Sequence, residues 1–523
     1  MTHSTSGADQ PEYPPPPLPS QAYPSEPVYL SNLDQPVPHK GGPAKKIIAG
    51  AAVVTVLAGG AVAAYAYTML ASSGVQPERV LPADTVAFAK IDLDPAADQK
   101  VAVYRLSGKF PKVSRGAGNI EQEKNSLLAA VFGDQDGLDY NTDIKPWLGD
   151  RIAIAAVPDA GSSEGLDPVA AVAYTNEAKM KAAMSKESRT DKNFGYASLN
   201  GYVLISNSQP HADAAVAGAR RASLSGNDHY QADLNSLHGN QVAVGWADLG
   251  AATAALKAAH PSADSGSSFG ALNYADTLAT TKGRVVLGAH AEVDYLEVSA
   301  VTHGTTSTPK GGGKPLEATL LQLSAADTDA AVEIGGLGDA LEAAWKNATA
   351  DPAARRRLED MFGGGGLRLP ADLGAVFGTD TTISMQVPAT GTGDAHVAAQ
   401  VSTTDPQRAM EVIDMLRKRL QLGPDKLRAT RTAHGYTVSN SPSYDGKAGP
   451  GSTPLGDDPT FKKAVVDSAK ASLVGYLNVG RIIDSDPTVS ATDKADWKHV
   501  GAIGLSVTPT PDGNAMTIRM TTR

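Results

Sequence analysis

Cysteine is absent from this chain of 523 residues, and aromatic residues make up only 5% of it. Without thiols the chain cannot form a disulfide, a thiolate nucleophile, a Cys-ligated zinc site, an iron–sulfur cluster or a lipidated N-terminal cysteine. A secreted eukaryotic protein of this size would usually carry disulfides, so their absence favours an exported bacterial protein. There is also no excess of basic residues. The net charge of −10 argues against a nucleic-acid-binding surface.

Long apolar runs are rare, and one stands out. Residues 47–71 contain no charged side chain, Lys45 and Lys46 precede them, and Glu78 follows. A helix of this length spans roughly 37 Å, enough to cross a hydrocarbon core of about 30 Å with some tilt. The run is too long, and starts too far into the chain, for a signal peptide, so we predict a retained transmembrane helix. The preceding lysines predict a cytoplasmic N-terminus and an extracytoplasmic C-terminal part.

The first 46 residues predict a disordered, proline-rich cytoplasmic tail. Residues 1–44 hold 11 of the 34 prolines, including Pro14–Pro17, and show no hydrophobic periodicity. Such a composition cannot bury a core and favours extended, polyproline-like segments.

The part that follows the apolar run is too long for one ordinary domain. The Gly- and Thr-rich segment 304–315 predicts a linker between a first ectodomain copy (residues 78–303) and a second (residues 316–523). Four motifs of the first copy recur in the same order in the second, at offsets of 228 to 234 residues. The pairs are Asp143-Ile144 with Asp372-Leu373, Val169-Ala170-Ala171 with Val397-Ala398-Ala399, Gly201-Tyr202 with Gly435-Tyr436, and Val244-Gly245-Trp246 with Val474-Gly475-Tyr476. We therefore predict a tandem duplication.

Each copy mixes strand and helix patterns, which predicts an α+β fold of mostly antiparallel sheet with helices packed on one face. Short runs rich in Val and Ile predict strands. Those of the first copy are 86–93, 151–157, 169–174, 202–206, 241–246, 284–291 and 295–301, and those of the second are 330–334, 381–387, 396–402, 435–438, 472–477, 501–507 and 515–520. Asp94-Pro95, Asp351-Pro352 and Asp405-Pro406 each predict a helix start, with Asp as the N-cap.

Two Gly-x-Ser-x-Gly matches, centred on Ser163 and Ser268, could indicate a hydrolase. A nucleophile elbow needs a strand directly before the serine and a helix directly after it. The first match lies in a predicted hairpin loop and the second in a Ser/Gly-rich stretch, so we interpret both as loops.

Other candidate sites are also incomplete. The acidic stretch Asp134–Asp139, with Asp143, lacks the glycine position and closing Glu of an EF-hand, so we expect a solvated turn. In Lys310–Pro315, proline stands where a phosphate loop has Ser or Thr. Arg355–Arg357 fan around a helix instead of forming one patch. We predict no catalytic residue, cofactor or metal site. Duplicated α+β sheets often enclose a groove between the copies, where ligands tend to bind. The recurring Tyr202/Tyr436 and Trp246/Tyr476 pairs are the first residues to inspect, although equivalent core packing in the two copies explains their recurrence better.

Several motifs carry a family resemblance. They are Leu81-Pro82-Ala83-Asp84-Thr85, Ile91-Asp92-Leu93-Asp94-Pro95, Gln99-Lys100, Lys109-Phe110-Pro111 and Pro146-Trp147-Leu148-Gly149-Asp150. Through them the chain resembles a family of single-pass, membrane-anchored proteins of high-GC Gram-positive bacteria with an extracytoplasmic domain of unknown function. The resemblance implies a location in the cell envelope and no particular catalytic residues.

The leading functional hypothesis is therefore a non-catalytic membrane protein of the cell envelope. We expect it to contact the bilayer through residues 47–71 and to bind an envelope lipid, a wall polymer or another protein, but no nucleic acid. Two alternatives stay open. One is an envelope hydrolase, and the other is a sensor that couples the ectodomain to a cytoplasmic partner.

Overall fold

The structure is a computed structural model, and it describes most of the chain after residue 74. The described residues are 75–92, 97–109, 139–159, 162, 165–191, 193–259, 282–305, 314–362, 366–388, 395–423, 426–485 and 491–523. The predicted tail and the predicted transmembrane helix lie outside these ranges. Among the described residues, no helix combines the length and hydropathy needed to cross a membrane.

The described residues form sixteen strands. These are β1 Ala87–Asp92, β2 Leu148–Pro158, β3 Leu166–Tyr174, β4 Gly195–Leu199, β5 Tyr202–Ser206, β6 Ala243–Asp248, β7 Arg284–Ala291, β8 Tyr295–His303, β9 Ala330–Gly335, β10 Asp380–Gln386, β11 His396–Ser402, β12 Arg428–Arg431, β13 Gly435–Ser439, β14 Leu473–Leu477, β15 Val500–Thr510 and β16 Gly513–Thr522.

Helices connect many of the strands. They are α1 Ala97–Gly108, α2 Glu177–Thr190, α3 Gln209–Arg221, α4 Asp228–Leu234, α5 Leu249–Ala259, α6 Leu337–Ala348, α7 Pro352–Phe362, α8 Ala371–Phe377, α9 Pro406–Arg419, α10 Pro459–Ala464, α11 Val479–Ser485 and α12 Ala491–Trp497. The start of α9 follows the predicted rule, because the Asp405 side chain accepts the Arg408 N–H at 3.0 Å.

All sixteen strands belong to one sheet, and every neighbouring pair is antiparallel. The order is β12-β13-β11-β10-β9-β14-β15-β16-β8-β7-β6-β1-β2-β3-β5-β4. The predicted α+β class and antiparallel sheet are confirmed. Read from either edge to the centre, the two halves have the same order of eight strands. They meet where β8 pairs with β16, with Val298 opposite Ile518.

Packing inside the two halves also corresponds. In the first half, the rings of Tyr230 and Trp246 meet edge to face, with centroids 5.6 Å apart. In the second half, Phe461 and Tyr476 make the equivalent contact at 5.2 Å. Both pairs join a short helix, α4 or α10, to the strand that follows it.

Helices pack on both faces of the sheet, whereas a single helical layer was expected. In the first half, Ala215 and Val216 of α3 pack with Leu204, while Met180 of α2 packs with Val203. Leu204 and Val203 are neighbours in β5 and therefore point to opposite faces. The second half has no helix between β13 and its next short turn at Leu455–Asp457, where the first half has α3.

Candidate functional site

In the middle of the sheet, the less buried side of the strands is aliphatic, and the charged side chains lie on the more buried side. An antiparallel sheet with one covered face usually places apolar residues on that face and polar residues on the other. Burial does alternate along β6, β9, β14 and the middle of β15. The buried side, which contains Phe88 and Trp246, is called the core face below. On the opposite side, the less buried residues are aliphatic.

This second side, called the aliphatic face below, spans nine adjacent strands from β1 to β10. Its residues are Ala87, Ala89, Ile91, Ala243, Gly245, Ala247, Val285, Leu287, Ala289, Leu296, Val298, Ala300, Met516, Ile518, Met520, Ile503, Leu505, Val507, Leu473, Gly475, Leu477, Ala330, Val332, Ile334, Ile383 and Met385. None of these residues carries a charge, a ring or a hydroxyl group. Polar side chains occur at its margin, at Thr302, Thr381 and Asn514.

The strand register shows that these residues form continuous rows. One row crosses all nine strands through directly paired positions. It contains Ile91, Ala243, Ala289, Val298, Ile518, Leu505, Gly475, Val332 and Ile383. Directly paired residues lie on the same face of a sheet, so the row is one uninterrupted aliphatic band.

The aliphatic face is large and partly open to solvent. Ile518 at its centre is 37% exposed and Ile383 is 40% exposed. With strands about 4.8 Å apart and three rows about 6.7 Å apart, the face measures about 38 by 14 Å, or roughly 500 Å². Ala289 and Ala300 on the same face are only 2% and 8% exposed, so solvent reaches only part of this area. Exposed apolar patches often mark binding sites.

Helices cover parts of this side of the sheet. Ala102 of α1 packs with Ala291 and Leu296, and the Gln99 side chain accepts the Ala291 N–H at 2.9 Å. On the first-half side, α2 covers β2, β3 and β5, where Met180 and Ala183 pack with Ile152 and Val172. On the second-half side, α9 covers β11 and β13, where Ala409 and Ile413 pack with Val401 and Tyr436. Ile152 pairs with Ile91, and Val401 pairs with Thr381 beside Ile334. These helices therefore lie on the same side as the aliphatic face, which forms the floor between them.

Charged residues of the central strands point to the core face instead. Lys90 Nζ lies 2.9 Å from Glu78 Oε1. Arg519 lies 2.5 Å from Glu297, and its guanidinium stacks 4.0 Å from the centre of the Tyr295 ring. Glu297 and Arg519 face each other across the β8–β16 junction. The two halves are thus joined by a buried ion pair on one face and by aliphatic contacts on the other.

The core face of the second half also buries two neighbouring carboxyl groups. Glu333 is 1% exposed and Asp380 is 2% exposed. Glu333 accepts the N–H groups of Thr319 and Leu320, both at 2.9 Å, and Asp380 accepts the Glu317 N–H at 3.1 Å. Burial and the charge of Asp380 raise the pKa of Glu333 to about 7, and burial also raises the pKa of Asp380. The pair ties the segment that enters the second half to strands β9 and β10.

Buried hydroxyl groups are concentrated near this carboxylate pair. The hydroxyls of Thr328, Thr382, Ser384, Tyr444 and Tyr476 are buried. Tyr444 interacts with Ser384 and Thr328 and Tyr476 with Asn478, whereas the Thr382 hydroxyl has no hydrogen-bond partner. By register, Thr382 and Ser384 occupy the positions that Ala153 and Ala155 occupy in the first half. The second half therefore has a polar interior where the first half has an apolar one.

The recurring aromatic residues serve packing in this structure. Trp246 and Tyr476 are both buried in core clusters. Tyr202 packs on the core face and donates to the Val75 carbonyl at 2.7 Å. Tyr436 packs against α9 on the opposite face and donates to the Val376 carbonyl. The Tyr202 and Tyr436 motifs therefore look alike in sequence but do not occupy equivalent positions.

The two Gly-x-Ser-x-Gly motifs were interpreted as loops. Ser163 and Ser268 both lie outside the described ranges. The loop that contains Ser163 joins the antiparallel strands β2 and β3, so the helix that a nucleophile elbow requires is not the next element.

A different group of catalytic residue types lies near the end of β5. The Ser206 hydroxyl lies 2.8 and 2.9 Å from the Asp167 oxygens. His211 lies 3.4 Å from Asp167 and 3.0 Å from Asp159. Ser206 is only 2% exposed, and its hydroxyl donates to a carboxylate instead of to the imidazole. This arrangement orders the start of α3 and lacks the nucleophile–base pair that acyl transfer needs.

The remaining candidates make structural contacts. Asp143 accepts the Asp139 N–H at 2.8 Å and binds Lys186 at 2.6 Å, while residues 134–138 lie outside the described ranges. Within those ranges, no group of three His, Asp or Glu side chains could hold a metal ion. Residues 310–313 are not described, and Lys314 pairs with Asp339. Arg355–Arg357 lie exposed on α7.

The sequence analysis did not find the aliphatic face. Its signal was present as strand segments in which both alternating sets of residues are largely apolar, such as Arg284–Ala291. Such segments are typical of strands covered on both sides. A single strand does not reveal whether the second cover belongs to the same chain.

Comparisons with known proteins identify a domain but no activity. The model of a family described as "Protein of unknown function (DUF3352)" matches residues 47–188. The match begins at the first residue of the predicted transmembrane helix and ends within α2. No curated protein and no solved structure matches the chain significantly. The match confirms the resemblance to a domain of unknown function, while the membrane anchor and the bacterial source remain predictions.

Proposed function

We propose that the chain is a single-pass membrane protein with an extracytoplasmic, non-catalytic C-terminal part that binds a ligand on the aliphatic face. The observation that carries this proposal is the aliphatic face itself. Ile518 and Ile383 on this face are 37% and 40% exposed, and apolar surface in contact with water is unfavourable by about 25 cal/mol per Å² unless it is covered. A bound ligand would supply that cover.

The membrane anchor is supported by the uncharged run 47–71 and by its flanking lysines. The family match also includes this run. An extracytoplasmic location agrees with the proline-rich tail and with the lack of cysteine, which is typical of many exported bacterial proteins.

We further propose that the two halves, residues 78–303 and 316–523, arose by tandem duplication. Their identical strand order and the equivalent contacts of Tyr230–Trp246 and Phe461–Tyr476 support it. In this arrangement the copies join edge to edge. The ligand surface therefore crosses both copies, and neither copy alone provides the whole face.

Membrane topology is the first test. Full-length protein with a C-terminal epitope tag is expressed in a high-GC Gram-positive host, and protease is added to intact cells. We expect loss of the tag from intact cells and retention of the protein in the membrane fraction. A tag that survives until the cells are lysed, or a full-length product in the soluble fraction, would refute the proposal.

A further inference from the structure

We propose that the exposed turn between α9 and β12 docks on the surface of a bilayer that contains anionic phospholipid. The docking surface consists of four basic and two aliphatic side chains, all exposed, and is called the basic turn below. Its residues are Lys418, Arg419, Leu420, Leu422, Lys426 and Arg428. This inference rests on the membrane anchor of the proposed function, which keeps the C-terminal part beside a bilayer.

The basic turn is a local excess of positive charge in an acidic protein. Residues 414–431 contain six basic and two acidic residues, a net charge of +4, whereas the whole chain carries −10. Asp414 forms ion pairs with Arg417 and Lys418, although 75% of the Lys418 side chain stays exposed. Positive charge concentrated on one exposed turn is attracted to a surface of anionic headgroups.

Two leucines in the basic turn face solvent. Leu420 is 64% exposed and Leu422 is 38% exposed. Basic residues at the end of a helix complement its dipole, and charges on an edge strand hinder pairing with other chains. These roles explain the cations on either side of the turn but not the leucines between them. Membrane-surface segments combine both residue types, because the cations meet the headgroups while the apolar side chains enter the boundary below them.

Backbone hydrogen bonds fix the turn that presents the leucines. The Leu422 N–H donates to the Arg417 carbonyl at 2.9 Å, and Gln421 between the leucines has a left-handed backbone with φ of 54°. This is the arrangement of a Schellman motif at a helix end. On the other side of the turn, the Leu427 N–H donates to the Gly423 carbonyl at 3.2 Å, and Leu427 packs with the core cluster beneath α9. The exposed leucines therefore project from a turn that is held on the protein at both ends.

The place of the basic turn in the sheet suits a second contact with the membrane. The strand that follows it, β12, is the edge strand of the second half. The described chain starts at Val75, whose carbonyl accepts the Tyr202 hydroxyl of β5, next to the opposite edge. Four residues from the end of the proposed transmembrane helix to Val75 can span at most about 14 Å, so the first half stays close to the bilayer. Docking of the basic turn would hold the second half against the same surface.

The lack of cysteine in the chain allows a single fluorescent label to report on the basic turn. Full-length Leu422→Cys is labelled with an environment-sensitive dye and reconstituted in lipid nanodiscs with or without anionic phospholipid. Val293→Cys is the matched control, because Val293 is also 38% exposed but lies between Glu292 and Asp294 in the turn from β7 to β8. We expect a blue shift, and quenching by a lipid spin-labelled near its headgroup, only for the label at position 422 in anionic nanodiscs.

Charge reversal tests the electrostatic part of the contact. Lys426→Glu combined with Arg428→Glu, in labelled Leu422→Cys, should lower the ratio of docked to undocked protein about 30-fold or more, as measured by lipid quenching. Salt at 1 M should also release the turn, because it screens charges beyond about 3 Å. The same charge change on α2, Lys179→Glu with Lys181→Glu, should leave the quenching unchanged. Circular dichroism and thermal unfolding show whether each variant folds like the wild type.

The outcomes separate this inference from the proposed function. Failure of the full-length protein to incorporate into nanodiscs would refute the membrane anchor and with it both proposals. Incorporation with no difference between the labels at positions 422 and 293 would overturn the docking and leave the anchored binding protein standing. An acidic protein as the true partner would give this same result, because the nanodiscs contain only lipid. Quenching that persists after charge reversal and in 1 M salt would also overturn the inference.

Discussion

Replacing Glu333 by Gln should remove a pH-dependent loss of stability. Glu333 and Asp380 are nearly fully buried on adjacent strands, and Glu317 adds negative charge near Asp380. Burial, followed by the charge of Asp380, raises the pKa of Glu333 from 4.5 to about 7. In the unfolded chain the carboxyl group ionises near its ordinary pKa. Between pH 4.5 and 7 the folded state therefore binds more protons than the unfolded state, so stability falls as the pH rises.

The size of the effect follows from the shift. At about 1.4 kcal/mol per pKa unit, the folded protein at pH 8 should be less stable than at pH 4 by about 3 kcal/mol on account of this one group. Gln resembles the protonated acid: its oxygen can accept the N–H groups of Thr319 and Leu320, and its NH₂ group can donate to Asp380. The variant should therefore be more stable than the wild type at pH 8 and close to it at pH 5.

Urea unfolding from pH 5 to 8, followed by circular dichroism, measures the difference between the two proteins. Glu177→Gln is the control, because Glu177 is an exposed carboxylate at the start of α2. A variant at Glu333 whose unfolding midpoint follows the wild type across the whole range would refute the reasoning. So would a variant less stable than the wild type at pH 8, since it would show that the ionised carboxylate stabilises this site.

Three further predictions concern stability. Thr382→Val removes a buried hydroxyl that has no partner and should stabilise the protein by about 1–2 kcal/mol; a loss measured by thermal unfolding would indicate an ordered water at this hydroxyl. Asp233→Ala leaves Arg284 and the Trp246 N–H without the carboxylate that binds them at 2.7 and 2.8 Å, so urea unfolding should show a loss of about 3–5 kcal/mol. Val332→Asp, at a partly buried position of the aliphatic face, should cost less in urea unfolding than Ala331→Asp, its buried neighbour on the core face, which should cost more than about 3 kcal/mol. Equal costs at the two positions would contradict the assignment of the faces.

Most strands could be predicted because their sequence signal is local. The segments 202–206, 284–291 and 396–402 were predicted and found with the same bounds. The prediction missed β4 and β12, which form the two edges of the sheet. Edge strands are commonly short and polar, since this protects them from pairing with other chains. Arg428–Arg431 follows that rule, and it therefore lacks the apolar run by which a strand is recognised.

The pairing of the two halves could not be predicted in the same way. Recurring motifs indicated a duplication but not how two copies would meet. That contact depends on β8 and β16, which end their respective halves and pair over 200 residues apart in sequence. The Tyr202 and Tyr436 motifs show that matching sequence motifs do not reveal the strand register. A shift of one residue in strand register moves a side chain to the other face, so similar sequences came to occupy different layers.

Charged residues of the central strands lie on the buried face, against the usual alternation, and this explains why the aliphatic face could not be predicted from the sequence. In β9, alternation places Ala331 and Glu333 on one side and Val332 and Ile334 on the other, and an ordinary reading would turn Glu333 toward water. Glu333 is nevertheless buried because backbone N–H groups donate hydrogen bonds to it. Lys90 likewise forms an ion pair with Glu78, and Glu297 forms one with Arg519. Polar partners within the chain therefore hold these charged side chains on the core face. The aliphatic face has no such need, because apolar groups require only the exclusion of water.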